Sequence, residues 1–600
     1  MLKEKQKALL ALIAVFTVFL GFALFVNHPS KVNGFLFADQ AVYFAMTESI
    51  AFDGDLEYTK KDLARYYQSY AAGPMGIFLK KAEDGRIFYA KSFAYPLFAA
   101  PFVRLFGVNG FFVFHALGLL LVLLMGLTWF SRSSRPGLSL LAVSSFVFAT
   151  AGYVYYFWIA PDFFNFFLVF SVLFLWGYKK KAGDPAEGDD MRPGRLKAFL
   201  LSDSSDYLAA FLAGIAVFSK PPNIVLMIPI GLGLLLQKKI GKAFLAGVFF
   251  LASAAVLFGA NYLLTSDWNF MGGERKSFYF VYPLEKSDVT FDSTGHAMTS
   301  EDYFDRALVS PKFLIYNVFY YVFGRFTGLA WYFFPAVLFL ILFFAAPKKP
   351  YQWLILAALT LHILIYLILM PTNFGGGGGS VANRYFLNIY PLFFFLPAMT
   401  VRPRHIVAIW AMAAVFIAPL ILSPLQSSMS PAAHAKKFPV KALPLEMTLV
   451  NEFPTNTNPH GFRVPCGTPP HDGILHFLDD NFNRKEEPEG LWTLGAKTTE
   501  MVLKTYFPVR EITVRLTNNV RRDNTVRVRV GRKTQKVVLQ PRERRELVFP
   551  VGTGFRIGYN HHHRIKIGAS KASIPYFEDE KSEERRNLGV FFELVLTPRD

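Results

Sequence analysis

Six hundred residues of which 53% are hydrophobic and 17% aromatic exclude an ordinary soluble globule, because apolar runs of about 18 or more residues recur through the first two thirds of the chain. The net charge of +19 would suit nucleic acid, yet the Lys and Arg of residues 1–424 fall mostly in short loops between apolar runs, where membrane topology accounts for them. One cysteine, Cys466, excludes an intramolecular disulfide, so any domain on the oxidising side of a membrane rests on its core alone.

The first apolar run follows Lys3, Lys5 and Lys7 and extends from Ala8 to Val26 with no small-residue cleavage site behind it, which predicts a retained span rather than a signal peptide. Hydropathy predicts about eleven spans, at 8–26, 110–130, 137–157, 162–178, 207–219, 223–236, 243–264, 329–346, 351–370, 385–401 and 406–424. With the amino terminus in the cytoplasm, the basic clusters at Lys3/Lys5/Lys7, Arg132/Arg135, Lys179–Lys181, Lys238/Lys239/Lys242, Lys348/Lys349 and Arg402/Arg404 all fall on one side. That assignment requires "ALVSPKFLIYNVFYYVFGRFT" (307–327) to lie in the interface without crossing. It predicts an integral protein of a bacterial-type inner (plasma) membrane, with segments 27–109, 158–161, 220–222, 265–328, 371–384 and everything after about 425 outside the cytoplasm.

Ionisable groups at span ends on the external side are the candidate site, since a charge at membrane depth costs about 2.5–3.5 kcal/mol and is paired or lines a cavity. Asp39 in "ADQAVYFA" shares a helix face with Tyr43 and Met46, and a solvated helix start is the alternative reading. Asp53 and Asp55 form "DGD", a common turn sequence or a metal or substrate ligand pair. Lys91 and Tyr95 lie in an apolar, Pro-punctuated interfacial segment, "IFYAKSFAYPLFAAPFVRLFG" (87–107). Asp162 in "IAPDFFNFF" opens a span, where an acid at a helix N-terminus and a catalytic acid read alike.

Lys220 in "FSKPPNIV" stands on the side depleted of Lys, where the double Pro breaks the helix, and a cation freed from topology suits a phosphate. Arg325 is a further cation near an external span end. In "NFGGGGGSVANRYFLNIYPLFFF" (373–395) five glycines, Gly376 and Gly377 among them, let the backbone approach a ligand, and Arg384 suits bidentate phosphate recognition.

After 424 a linker (425–444) leads to strand-like alternation in "EITVRLTN", "TVRVRVG", "KVVLQP", "RELVFP", "HRIKIGA" and "LGVFFELVLTP", which predicts a β-sandwich or jelly roll over 445–600. Three neighbouring histidines, His561–His563, cannot all face one ion from a strand. Trp492 reads as a buried sandwich tryptophan or a sugar platform, and the basic 515–545 region as a solvated face or a lid on anionic headgroups, with no nucleic-acid role.

The acid after the first span, the large first loop ending in "AKSFAYPLFAAP", the "APD" before a span and the late "GGGGGSVANRYFLNIYPLFFF" together resemble the GT-C superfamily of membrane glycosyltransferases, in its protein-mannosyltransferase and aminoarabinose-transferase-like branch, over residues 1–424. The resemblance implies a polytopic α-helical domain that transfers a sugar from a polyprenyl-phosphate carrier to an extracytoplasmic glycan, lipid or protein. It makes Asp39 the general base or acceptor-positioning acid, and it implies a carboxy-terminal domain like a carbohydrate-binding module. The family commonly has two adjacent acids where this chain has Asp39-Gln40, which leaves the second carboxylate to Asp53, Asp55 or Asp162. It also leaves open a divalent cation, Mg or Mn, on Asp39 and Asp55.

Displacing a lipid phosphate needs a base for the acceptor hydroxyl and cations for the departing phosphate, supplied by Asp39 and by Arg384, Lys220 and Lys91, in a single displacement with inversion. A flippase of lipid-linked saccharides and a non-catalytic envelope scaffold are the rival classes. Repeat-related halves and midplane polar groups, which mark transporters, are not evident in the sequence.

Overall fold

A computed structural model describes residues 2–28, 30, 34–182, 194–297, 310–377, 379–397, 401–452, 463–466, 472–486 and 490–599. The chain is an integral membrane protein with a helical domain followed by an all-antiparallel β-domain. In chain order the principal helices are α1 (Leu2–Phe25), α2 (Asp39–Phe52), α3 (Ala94–Phe106), α4 (Gly110–Phe130), α5 (Pro136–Phe148), α6 (Asp162–Ala182), α7 (Ser204–Ser219), α8 (Ile240–Thr265), α9 (Pro311–Phe323), α10 (Phe334–Phe344), α11 (Pro350–Leu369) and α12 (Pro403–Phe416).

Among the described residues the predicted eleven spans resolve into five apolar helices long enough to cross a membrane, or up to seven if each of two bent pairs is one span. The breaks have local causes. The predicted 137–157 span bends by 74° where α5 gives way to a 3-10 turn at Ala151–Phe157. The 223–236 run is a 3-10 turn, a π turn around Pro229 and a short α-helix, because Pro229 cannot donate its backbone hydrogen bond. Pro391 likewise divides the predicted 385–401 span into Arg384–Leu387 and Pro391–Phe394. These short pieces are buried inside the bundle, where Tyr390 stacks on Phe146 at 4.0 Å and donates its hydroxyl to the Phe146 carbonyl at 2.8 Å. Broken backbone at membrane depth is tolerated where protein, not lipid, surrounds it.

The basic loops gather at one end of the bundle. Lys179 pairs with Asp206 at 2.7 Å, Lys242 with Asp203 at 2.5 Å, and Arg132 donates to the Tyr178 carbonyl. At the other end a small sheet ties the first loop to a later one: β1 (Ile77–Lys81) pairs with β2 (Ile87–Tyr89) and β3 (Glu274–Phe278), which pairs with β4 (His296–Ala297). Helix α9, in the 307–327 segment, is 13 residues long, and Asn317 donates from it to the Pro371 carbonyl just past the end of α11.

Twelve strands form the β-domain: β5 (Arg463–Cys466), β6 (Gly473–Phe477), β7 (Phe482–Glu486), β8 (Gly490–Leu494), β9 (Thr498–Thr505), β10 (Val509–Thr517), β11 (Asn524–Val530), β12 (Lys533–Leu539), β13 (Arg544–Pro550), β14 (Phe555–Ile557), β15 (Asn560–Ala569) and β16 (Leu588–Pro598). One sheet runs β13-β10-β16-β8-β7 and the other β12-β11-β15-β9-β6-β5, with β14 beside β15. Alternate residues of both, such as Ile512, Val514 and Phe592 against Met501, Val528 and Ile567, share one core, which is a sandwich. Trp492 is buried edge-on to Phe591, and Cys466 is a buried thiol outside any disulfide. His561 and His562 are each engaged through Nδ1, with the Thr553 and Phe555 carbonyls.

The sandwich is seated on the helical domain through charge as well as packing. Arg325 and Glu500, each 1% exposed, meet at 3.1 Å, and Arg564 and Lys566 complete the Glu500 environment. Burial pushes the Glu500 carboxyl up, but Arg325, Arg564 and Lys566 outweigh it and hold the group at about 2. Beside it the buried Glu446 carboxylate accepts from the Phe326 and Thr327 backbone N–H groups at 2.7 and 2.9 Å. Removing one member of a buried pair leaves the other charge uncompensated, at a cost of about 3–5 kcal/mol. Glu500→Ala is therefore expected to release the β-domain as a protease-sensitive unit and lower the thermal midpoint of the full protein in lipid. Arg325→Met with Glu500→Leu should recover part of that loss.

Candidate functional site

Helix α2 begins directly after Ala38, whose positive φ of 48° turns the chain and whose N–H reaches the Met75 carbonyl at 2.7 Å. Asp39 is the first helical residue and makes no capping bond. Its carboxylate instead lies between two cations, with Lys91 Nζ 2.7 Å from Oδ1 and Arg384 Nη2 2.6 Å from Oδ2. Lys91 follows β2, and its ammonium lies 4.7 Å from the centre of the Phe78 ring on β1.

Asp162 opens α6 after Pro161, and its Oδ1 lies 3.0 Å from Lys220 Nζ and 3.8 Å from Arg384 Nε. Lys220 ends α7, where the following Pro221 and Pro222 prevent the helix from continuing. The five residues thus form one line, Lys91, Asp39, Arg384, Asp162 and Lys220, drawn from positions up to 345 residues apart. Three cations against two carboxylates leave an excess positive charge, in a setting where acids at two helix N-termini are also favoured by the helix dipole.

The glycine loop fixes Arg384. Gly376 has a φ of +99°, and a Cβ there would stand 2.7 Å from the Arg384 Cβ. The Arg384 N–H donates to the Gly375 carbonyl at 2.9 Å, and Ser380 Oγ donates to the Gly377 carbonyl at 2.7 Å. Asn383, at a φ of 52°, caps the Arg384–Leu387 turn by accepting from the Phe386 N–H. Arg384 then lies over Trp158 and Tyr385, and Lys220 over Tyr385, so aromatic faces support both cations. Gln40 closes the assembly by accepting from the Ile159 N–H at 3.2 Å.

Exposure separates the two acids. The Asp39 side chain is 17% exposed and that of Asp162 only 2%, so Asp39 is the more accessible acid and Asp162 the more deeply buried one. Burial alone would push the Asp39 carboxyl up, but the Lys91 and Arg384 charges prevail and hold it well below the usual carboxylate range. Burial pushes the Lys91 ammonium down against the opposing pull of Asp39. Tyr43, one turn along α2, and Tyr95 pack edge-on behind Asp39, and Tyr95 bonds onward to His115 at 3.0 Å.

Asp53 and Asp55 stand at the far end of α2, whose 14 residues extend about 20 Å. Asp53 pairs with Arg65, and Asp55 accepts from Ser49 Oγ at 2.9 Å. The residues therefore do not fit a metal shared by Asp39 and Asp55. Arg325 lies under the β-domain on Glu500. Arg275 on β3 was not indicated by the sequence: it is buried, lies 5.0 Å from the Phe78 ring that also carries Lys91, and contributes its charge to Lys91. Only the β1–β3 pairing, across nearly two hundred residues, brings it there, and local patterning held no sign of it.

No protein-family model and no curated protein matches this chain. Among solved structures it is similar to ArnT from Cupriavidus metallidurans, both bound to undecaprenyl phosphate and in the apo state, at 14% identity over 70% of this chain and 65% of that one, with a TM-score of 0.38. It is also similar to the arabinosyltransferase EmbB from Mycobacterium smegmatis at 11% identity over 98% of this chain and 64% of that one, with a TM-score of 0.24. The chain thus spans slightly less than two thirds of the length of each.

Asp39→Asn takes the carboxylate from Lys91 and leaves Arg384 with Asp162 alone, and is expected to lower stability by about 3–5 kcal/mol at neutral pH. Because the folded carboxyl titrates below the unfolded one, the difference from wild type should be complete above pH of about 4 and shrink as pH falls further. Thermal denaturation of both forms in lipid across pH 3–7 measures this.

Proposed function

We propose that this chain is a membrane glycosyltransferase of GT-C type that moves a sugar from a polyprenyl-phosphate-linked donor to an acceptor on the extracytoplasmic side, with inversion. The observation that carries this reading is the line of three cations and two carboxylates at one end of the helical bundle, joined by residues of the very segments that resemble the family. An excess of partly exposed cations recruits an anion, and a lipid phosphate reaches a site at the end of the bundle from the bilayer.

In the proposed step the acceptor oxygen attacks the anomeric carbon from the face opposite the phosphate. The bond from that carbon to the phosphate oxygen breaks, and its electron pair leaves on the carrier phosphate. Asp39, the more exposed acid, takes the acceptor proton, while Lys91, Arg384 and Lys220 hold the departing charge. Asp162 positions Lys220 and Arg384. Gly376 and Gly377 act through the loop geometry that seats Arg384. No step calls on a metal.

Transfer of radiolabelled sugar from a panel of polyprenyl-phosphate sugars, by purified protein in lipid, tests the reading. Wild type should turn over one donor. Asp39→Asn should lose about 10²–10⁴-fold, the contribution typical of a positioned base. Arg384→Ala should fall comparably, while Asp53→Asn keeps most activity. Consumption of no donor by wild type, with lipid-linked saccharide moved across the bilayer instead, would replace the transferase by the flippase.

A further inference from the structure

The outer faces of the two β-sheets differ in charge. Among the described residues of the five-stranded sheet, cations across the β10–β13 and β13–β16 strands are paired with acids, Arg515 with Glu546 at 2.7 Å and Arg544 with Glu593 at 2.9 Å. On the seven-stranded sheet, residues directly opposite one another across the ladders share a face, so the register decides which side chains lie together. Arg529 opposes Lys566, which opposes Glu500, and Arg527 opposes Lys536. This outer face therefore carries Arg527, Arg529, Lys536, Arg564 and Lys566, with Glu500 as the acid among them.

Glu500 is already committed to the helical domain through Arg325. Arg527, Arg529 and Lys536 are exposed and, among the described residues, have no carboxylate in ion-pair range. They stand on β11 and β12, the side of the sheet that extends beyond the β9 and β15 strands resting on the helical domain. Val502, one step from Glu500 on the same face of β9, is part of the helical domain's core.

The level of this overhang is set by α9. Its Asn317 is tied to the end of α11, its Ile315 and Phe319 are exposed at 70% and 46%, and its Tyr316 packs edge-on against Phe555 of β14. An exposed aliphatic and aromatic helix face beside a span end belongs in the lipid interface. The sheet face that touches this helix thus looks toward the bilayer plane.

We propose that the outer face of the seven-stranded sheet, through Arg527, Arg529 and Lys536, docks on anionic lipid headgroups of the leaflet that borders the candidate site. Exposed cations within a Debye length of an anionic surface are attracted to it, and the charge contrast between the two sheets is what that partner selects. This inference holds whether or not the chain is a transferase.

The test uses the full chain with Cys466→Ala, so that one introduced cysteine carries a donor fluorophore, at Thr534→Cys on β12 or at Val548→Cys on the opposite sheet. Acceptor dye sits on headgroups in nanodiscs of phosphatidylcholine alone or mixed with phosphatidylglycerol. Energy transfer from position 534 should exceed that from 548 several-fold in the anionic discs, and should fall with added salt or with combined Arg527→Glu, Arg529→Glu and Lys536→Glu. Equal transfer from both positions, or transfer from 534 unmoved by anionic lipid, salt and charge reversal, would overturn the proposal. The salt arm needs no charge reversal and so is independent of any folding defect.

Discussion

Arg384 is the group on which the site depends. Its side chain is only 12% exposed at the boundary of a membrane domain, where an unpaired guanidinium is costly, and it meets that constraint by reaching two acids from different helices. Asp39 and Asp162 are each the first residue of their helix, so the charge that Arg384 compensates also lies where the helix dipoles favour it. The glycine loop, the left-handed Asn383 and the aromatic shelf of Trp158 and Tyr385 are all ways of delivering one guanidinium to one place.

The β-domain is anchored to the same delivery system. Glu446 accepts from the N–H groups of Phe326 and Thr327, the Phe326 carbonyl accepts from Ala382 at 2.6 Å, and a Cβ on Gly375 would stand 2.9 Å from Thr327 Cγ2. Arg325, adjacent in sequence, is the residue that holds Glu500 of the sandwich. One turn, 325–327, therefore touches the β-domain on one side and the glycine loop on the other. The contacts give the carboxy-terminal domain a direct structural path to Arg384, ending two residues before it.

Much of this was legible because topology imposes charge sidedness. Once Lys and Arg are assigned to one end of a bundle, the cations left at the other, Lys91, Lys220 and Arg384, stand out, and the structure brings them together with Asp39 and Asp162. The alternation of "TVRVRVG" and "KVVLQP" likewise announced strands now paired as β11 and β12. Proximity in sequence misled at Asp53 and Asp55, which follow Asp39 closely in the chain but sit at the opposite end of the helix between them. Continuous hydropathy hid the breaks at Pro229 and Pro391, because a buried broken segment is as apolar as a span. Arg275 was silent because strand pairing, not local pattern, places it.

The ion-pair network also bears on the order of events in the proposed reaction. With both oxygens held by cations, Asp39 has too little affinity for a proton to act as an effective base, since proton transfer in the transition state is efficient only when the base is matched to its task. A donor phosphate entering beside Lys91 and Arg384 would compete for those same cations, and every contact it takes from Asp39 raises the proton affinity of that carboxylate. The base then becomes competent only when the group to be displaced is in place, so an acceptor hydroxyl or water arriving alone meets a carboxylate that is already satisfied. In this reading the ion pairs that hold Asp39 in place also make its reactivity conditional on the donor.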